Sequence, residues 1–178
     1  MACEFITKSK RAQVCADSMG GVKNIYIALY GNYGFTVAGS EVTSLGTLED
    51  VYKYEFNAKT ESLSEDLVVD GDTGNAVNTQ TLAGTIPGLD AELQKELSLL
   101  AKSRSFIFVE DKNGNIKLAG LEHGVTATSL KAQTGAAPTD MSGYTIEFVA
   151  TEKDLAPLLS SSVKTALKAA VINDYIGA

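Results

Sequence analysis

The chain has 178 residues, 44 % of them hydrophobic, and carries a net charge of −7 with a pI near 4.7. That length suggests one domain with room for a real core, and the acidity disfavours a protein that grips nucleic acid by its phosphates, which calls for a basic surface. No apolar run approaches the roughly 20 residues of a membrane-spanning helix, and the first eleven residues lack the apolar centre of a signal peptide, so no membrane role is expected and the reading is of a protein made in a cytoplasm. An acidic protein can still stand beside DNA as a wall that phosphates do not stick to.

Residues 1–22 are mixed in character and end at Gly20-Gly21. They read as an arm with a short helical turn near Ala12 to Ser18. Cys3 and Cys15 are too few for a disulfide framework and match no common zinc spacing, with only His123 available to assist. Residues 23–30 read as a strand. Two glycines and an Asn make residues 31–34 a turn. Phe35-Thr36-Val37 is a short strand, and residues 39–48 a turn-rich connection. Residues 51–57 alternate, with Tyr52, Tyr54 and Phe56 on one face and Val51, Lys53 and Glu55 on the other. Residues 59–66 are polar almost throughout, and residues 76–86 form a long Thr-rich strand. Polar, two-sided strands are poor core material. They suit a sheet completed by identical neighbours, with register supplied by the assembly.

Pro87-Gly88 ends that strand. Leu89, Leu93, Leu97 and Leu100 then share one face of a helix over 90–102, with Asp90 as N-cap and Lys102 and Arg104 suiting its C-terminal end. In the stretch 105–151, Phe106-Ile107-Phe108-Val109 and Ile116-Lys117-Leu118-Ala119 flank Asp111-Lys112-Asn113-Gly114-Asn115. An Asn-Gly pair between apolar runs predicts a hairpin. Residues 124–130 and 144–150 add two strands, making an antiparallel meander. Asp154 caps a last helix over 156–175, on which Leu155, Leu159, Val163, Leu167 and Val171 repeat every four residues and Pro157 is tolerated in the first turn. Such an amphipathic helix packs on its own sheet or docks on a partner.

Chemistry is sparse. A nucleophilic site would have to use His123, and no Gly-x-Ser-x-Gly elbow accompanies it. Asp70-Gly71-Asp72-Thr73-Gly74-Asn75 resembles a calcium loop but lacks Gly at its sixth position and an acid at its twelfth, Thr81. Asp111, Asn113, Asn115 and Glu122 match four loop positions, yet Ile116 stands where Gly is required. Gly20-Gly21-Val22-Lys23 lacks the spacing of a phosphate loop. Glu61, Glu65, Asp66, Asp70 and Asp72 read as a solvated or lumen-facing acidic strip rather than an acid–base pair. No catalytic, cofactor-binding or metal-ligating residue is assigned, and an enzyme is not expected.

Several stretches, in order, carry a resemblance. They are Met1-Ala2-Cys3-Glu4-Phe5-Ile6-Thr7, Gly20-Gly21-Val22-Lys23-Asn24-Ile25-Tyr26, Tyr52-Lys53-Tyr54 and Gln80-Thr81-Leu82. Asp111-Lys112-Asn113-Gly114-Asn115 with Gly120-Leu121-Glu122-His123-Gly124 continues the series. Ser142-Gly143-Tyr144-Thr145-Ile146 and Asp154-Leu155-Ala156-Pro157-Leu158-Leu159 complete it. The set resembles tail-tube-like virion proteins of bacteriophages infecting Bacteroides-type gut bacteria, and within that group the tail ring proteins of crAss-like phages. The likeness covers residues 1–160, a β domain with its N-terminal arm, and leaves 161–178 as a C-terminal helical extension.

The resemblance implies a mainly β (α+β) fold, a tail-tube-like antiparallel β-sandwich or barrel with a flanking helix and a C-terminal helix. It implies a structural subunit of the virion, at the tail or head-tail junction, with no active site. Copies would close into a ring, a hexamer or dodecamer, whose inner sheets join into one barrel. That ring would stack on a neighbouring tail ring, portal-proximal or tail hub proteins, and genomic DNA would pass through its lumen without specific binding. An alternative is a decoration or fibre β-sandwich that binds host-surface carbohydrate. It calls for a cluster of exposed aromatics, which a chain without Trp and with Tyr mostly in strands does not promise. A hydrolase centred on His123 or Cys15 is the third class.

Overall fold

In the computed structural model, which describes residues 19–55, 60–72 and 74–172, the elements run in the order β1 (Val22–Leu29), β2 (Thr36–Ala38), β3 (Glu41–Ser44), β4 (Tyr52–Tyr54), β5 (Ser62–Val69), β6 (Ala76–Pro87), α1 (Ala91–Leu100), β7 (Arg104–Asp111), β8 (Ile116–Ala119), β9 (Val125–Gln133), β10 (Gly143–Glu152), β11 (Leu158–Leu159) and α2 (Ser161–Ala169). The fold is mainly β, an eleven-stranded sheet curled on itself, with two helices.

β7 is the strand around which the rest folds. Its apolar run has no polar alternation because both of its faces are covered. Side chains alternate across a strand, so Ile107 and Val109 enter one core while Phe106 and Phe108 enter another. β1 pairs with β7 antiparallel and divides in the same way, Ile25 and Ile27 to the first core, Tyr26 and Ala28 to the second. On the other side of β7, β8 sends Ala119 to the first core and Ile116 and Leu118 to the second.

One half of the sheet therefore runs β4-β1-β7-β8-β11-β3-β2, and the other β9-β10-β6-β5. They join where Ser105 and Arg104 of β7 pair with Val125 and Thr126 of β9. The first core lies between the halves, where Leu82, Ile86, Tyr144, Ile146 and Phe148 meet β1 and β7, and α1 adds Leu97 and Leu100. The second core lies on the opposite face of β1 and β7, and is closed by Val42, Leu45, Leu48, Leu159, Val163 and Leu167.

Several expectations hold. α1 begins at an Asp90 N-cap whose carboxylate accepts from the amides of Glu92 and Leu93. Leu89, just outside the helix, is exposed rather than on its buried face. The β7–β8 hairpin turns on Gly114 at φ 82°, with the Asp111 carboxylate accepting from the amides of Asn113 and Asn115 at 2.9 and 2.7 Å.

Others are corrected. The meander breaks after β8, since β9 pairs with β10 and the start of β7, not with β8. Gly120 and Gly124, both at positive φ, turn the chain there, and the Gly124 amide donates to the Gly120 carbonyl at 3.0 Å. Residues 39–48 contain β3. The strand expected over 59–66 lies at Ser62–Val69, and β4 is only three residues long among the described residues.

Asp154 caps no helix. The chain runs through β11 first, and α2 starts after Ser160. Pro157 has no amide and turns Ala156 away from helical backbone. Neighbouring strands claim that stretch instead: Leu118 donates to the Pro157 carbonyl, Leu158 to Ser40 and Ser160 to Val42, at 2.9–3.1 Å. α2 packs on its own sheet, burying Val163 and Leu167. α2 ends at Ala169, and Val171, expected on its apolar face, forms a parallel bridge with Val51 instead. Residues 1–18 of the expected arm and 173–175 of the expected helix lie outside the described residues.

Candidate interaction face

The sheet half β9-β10-β6-β5 has one face in the first core and one facing out. On β6, Asn78, Gln80, Leu82 and Ile86 are buried, while Val77, Thr79, Thr81 and Ala83 point the other way. Register aligns these outward positions into rows across the sheet. They read Lys131–Thr145, Ser129–Glu147–Ala83–Ser62, Thr126–Val149–Thr81–Ser64 and Thr151–Thr79–Asp66, while Thr85, in register with Thr145, is buried and shares a hydrogen bond with Thr60. The result is a lattice of hydroxyls and short aliphatics, with Lys131, Glu147 and Asp66 as its charges. The Thr-rich pattern of 76–86 is thus the outer half of a strand whose inner half is buried, polar at Asn78 and Gln80 and apolar at Leu82 and Ile86.

Both margins of this sheet half are open. Among the described residues β5 pairs with β6 alone, and β9 meets β7 only at its first two residues. Beyond the core the β5–β6 hairpin continues as an exposed apolar tip, with Leu67, Val68, Val69 and Val77 between 43 and 65 % exposed. Its turn is closed by the Asp70 amide donating to Asn75 and by the Gly74 amide donating to Asp70. The Asp70 side chain accepts from the Asp72 amide, a turn's use of a carboxylate rather than a calcium loop's.

The five acids expected as one strip divide. Asp66, Asp70 and Asp72 are exposed, but Glu61 and Glu65 turn inward. The Glu65 side chain is 7 % exposed, pairs with Lys117 at 2.5 Å and accepts from the Ala156 amide at 2.7 Å. It ties the hairpin to the opposite half of the sheet. Glu61 is also buried, and its Oε1 has no hydrogen-bond donor among the described residues. Burial pushes its carboxyl pKa up, against the pull of the nearby Lys112 charge. Strand alternation, not charge, decides which acids face out.

His123 sits at the β8–β9 corner with its side chain 62 % exposed. Buried Glu152, at the end of β10, accepts from the amides of Glu122 and His123, and its Oε2 lies 3.5 Å from His123 Nδ1. Gln80 accepts from the Gly120 amide at the same corner. Cys15 lies outside the described residues.

Two features escape sequence reasoning. Tyr30, Tyr33, Phe35 and Phe106 pack edge-on and tilted at 4.9–6.0 Å between centroids, lining an open cleft with Val37 and Leu121. The signal was local, aromatics punctuated by glycine over residues 30–35, but Phe106 arrives only through the β1–β7 pairing. The other is Glu110, the acid that ends the apolar run of β7. It is 2 % exposed and held by Asn24, Tyr26 and Lys168 at 2.7–2.8 Å.

No helix among the described residues is long and apolar enough to cross a membrane. The chain matches no known family, no curated protein and no solved structure.

Proposed function

We propose that the chain is a structural subunit of a phage virion, one copy in a stacked ring or tube of the tail or head-tail junction that forms a channel for genome passage. What carries the reading is the open edge of β5 beside the outward hydroxyl lattice. A strand edge is a row of unpaired amides and carbonyls, which native proteins blunt, cover or pair. Here β9, at the opposite margin of the same sheet half, offers a second open edge. Copies set side by side would join these edges and extend one sheet around a ring. The lattice would then form a wall on which Lys131 is the only cation in the aligned rows, so a passing phosphate backbone finds little hold.

The test is the assembly state of the full chain. Light scattering after size exclusion and negative-stain microscopy are expected to show closed rings of six or twelve copies. A chain that stays monomeric up to millimolar concentration, together with particles that show no such ring, overturns the proposal. A second reading, a virion decoration or fibre protein that holds carbohydrate, is favoured by the aromatic cleft around Tyr30 and Tyr33, since sugars stack on such rings. Specific hits on a glycan array that vanish in Tyr30→Ala would carry it.

A further inference from the structure

The β8–β9 corner brings three ligand-bearing side chains together. One carboxylate oxygen each from Glu122 and Glu152 and one ring nitrogen of His123 all lie within 4.8 Å of one another. We propose that they form a site for a zinc-class divalent cation. The proposal does not depend on the ring reading.

Three observations support it. The first is spacing. Zinc holds imidazole nitrogen and carboxylate oxygen at about 2.0–2.2 Å, so two tetrahedral ligands stand about 3.4 Å apart. His123 Nδ1 and Glu152 Oε2 are 3.5 Å apart, long for a hydrogen bond and right for two ligands of one ion. The second is preorganisation. Glu152 is 5 % exposed and its carboxylate is fixed by the amides of Glu122 and His123 at 2.9–3.2 Å. A ligating carboxylate anchored by outer hydrogen bonds is the usual support of a metal site. The third is access. Glu122 and His123 reach solvent, and the Lys153 ammonium that balances Glu122 stands off at 3.8 Å on a side chain 76 % exposed. It is free to swing away when a cation enters.

The donor set selects the ion. One imidazole with two carboxylates and an open position for water suits zinc, whereas magnesium and calcium prefer oxygen alone. Bound there, the ion would staple the end of β10 to the turn that carries the chain from one half of the sheet to the other.

The experiment is calorimetric titration of Zn2+ into the full chain carrying Cys3→Ser and Cys15→Ser, so that thiols contribute nothing. One equivalent is expected per chain, with a rise in melting temperature on zinc addition and no displacement by equimolar Mg2+. In that background His123→Ala is expected to weaken binding at least tenfold and Glu122→Gln several-fold. Both side chains are solvent-exposed, and circular dichroism checks that the variants keep the fold. Absence of binding, unchanged affinity in His123→Ala, or equal competition by Mg2+ overturns the site.

Discussion

Two buried glutamates with opposite environments contribute with opposite sign to the pH dependence of stability. Burial alone would raise the Glu110 pKa, but hydrogen bonds from Asn24, Lys168 and Tyr26 and the Lys168 charge outweigh it and hold the carboxyl at about 2. A carboxyl depressed in the fold contributes stability that is complete above its unfolded value near 4.5 and is lost as pH falls toward 2. The contribution is ~3 kcal/mol. Glu110→Gln is therefore expected to lower stability at pH 7 by ~2–4 kcal/mol and to flatten the acid limb between pH ~4.5 and 2, read by urea unfolding at several pH values. Glu61 carries the opposite sign. Its carboxyl is raised by burial, so the fold prefers it protonated and loses stability as pH climbs past the unfolded value. Glu61→Gln should raise the melting temperature at pH 7 and leave it unchanged at pH 3. A drop at pH 7 would mean that Glu61 finds a donor in solution.

Among the elements, the corner between β8 and β9 decides the topology. A Cβ on Gly120 would stand 2.6–2.7 Å from Val125 and the Gly124 backbone, and Gly120 also sits at φ 75°. At Gly124, at φ 74°, the added carbon would meet the Tyr30 ring at 2.7 Å and the Arg104 stem at 2.9 Å. Backbone cannot retreat as a side chain can. Gly120→Ala is expected to cost ~2–4 kcal/mol and Gly124→Ala ~1–3 kcal/mol, measured by chemical denaturation. Equal, negligible costs would show that the corner relaxes freely. Elements that depend on their own residues were legible in the sequence. α1 announced itself by leucine spacing and a capping Asp, and β7, β8 and β10 by apolar runs or alternation. β3 and β11 were not legible, because two to four residues become strand only when a neighbour's backbone claims them. The four-residue repeat from Leu155 to Val171 misled for the same reason. Leu159 and Leu167 reach one core, but from a strand and a helix respectively. The candidate interaction face was half legible. The Thr-rich strand pointed to it, while the inward turn of Glu61 and Glu65 followed from a register that no charge count reveals.

At the scale of the whole molecule, the exposed apolar tip of the β5–β6 hairpin is the feature least suited to a free monomer. Val68 and Val69 are 65 and 63 % exposed and sit on a strand with an open edge, a combination that invites pairing with another chain. A lysine on such an edge is a common natural guard against association. Val68→Lys removes no buried contact, so the stability of the isolated chain should change by less than ~0.5 kcal/mol. Assembly should respond differently. If the tip and edge lie in the contact between copies, each ring repeats the defect at every interface. The concentration at which rings form should then rise at least tenfold, followed by analytical ultracentrifugation beside the unaltered chain. A variant that assembles as readily as its parent would move the contact away from this hairpin and leave the open edge of β9 without its expected complement. Ser64→Lys, one outward position from Asp66 on the same strand, separates the two components of the surface. It alters the hydroxyl lattice and the edge while sparing the tip, so a loss of rings in both variants points to the strand edge, and a loss in Val68→Lys alone points to the apolar tip.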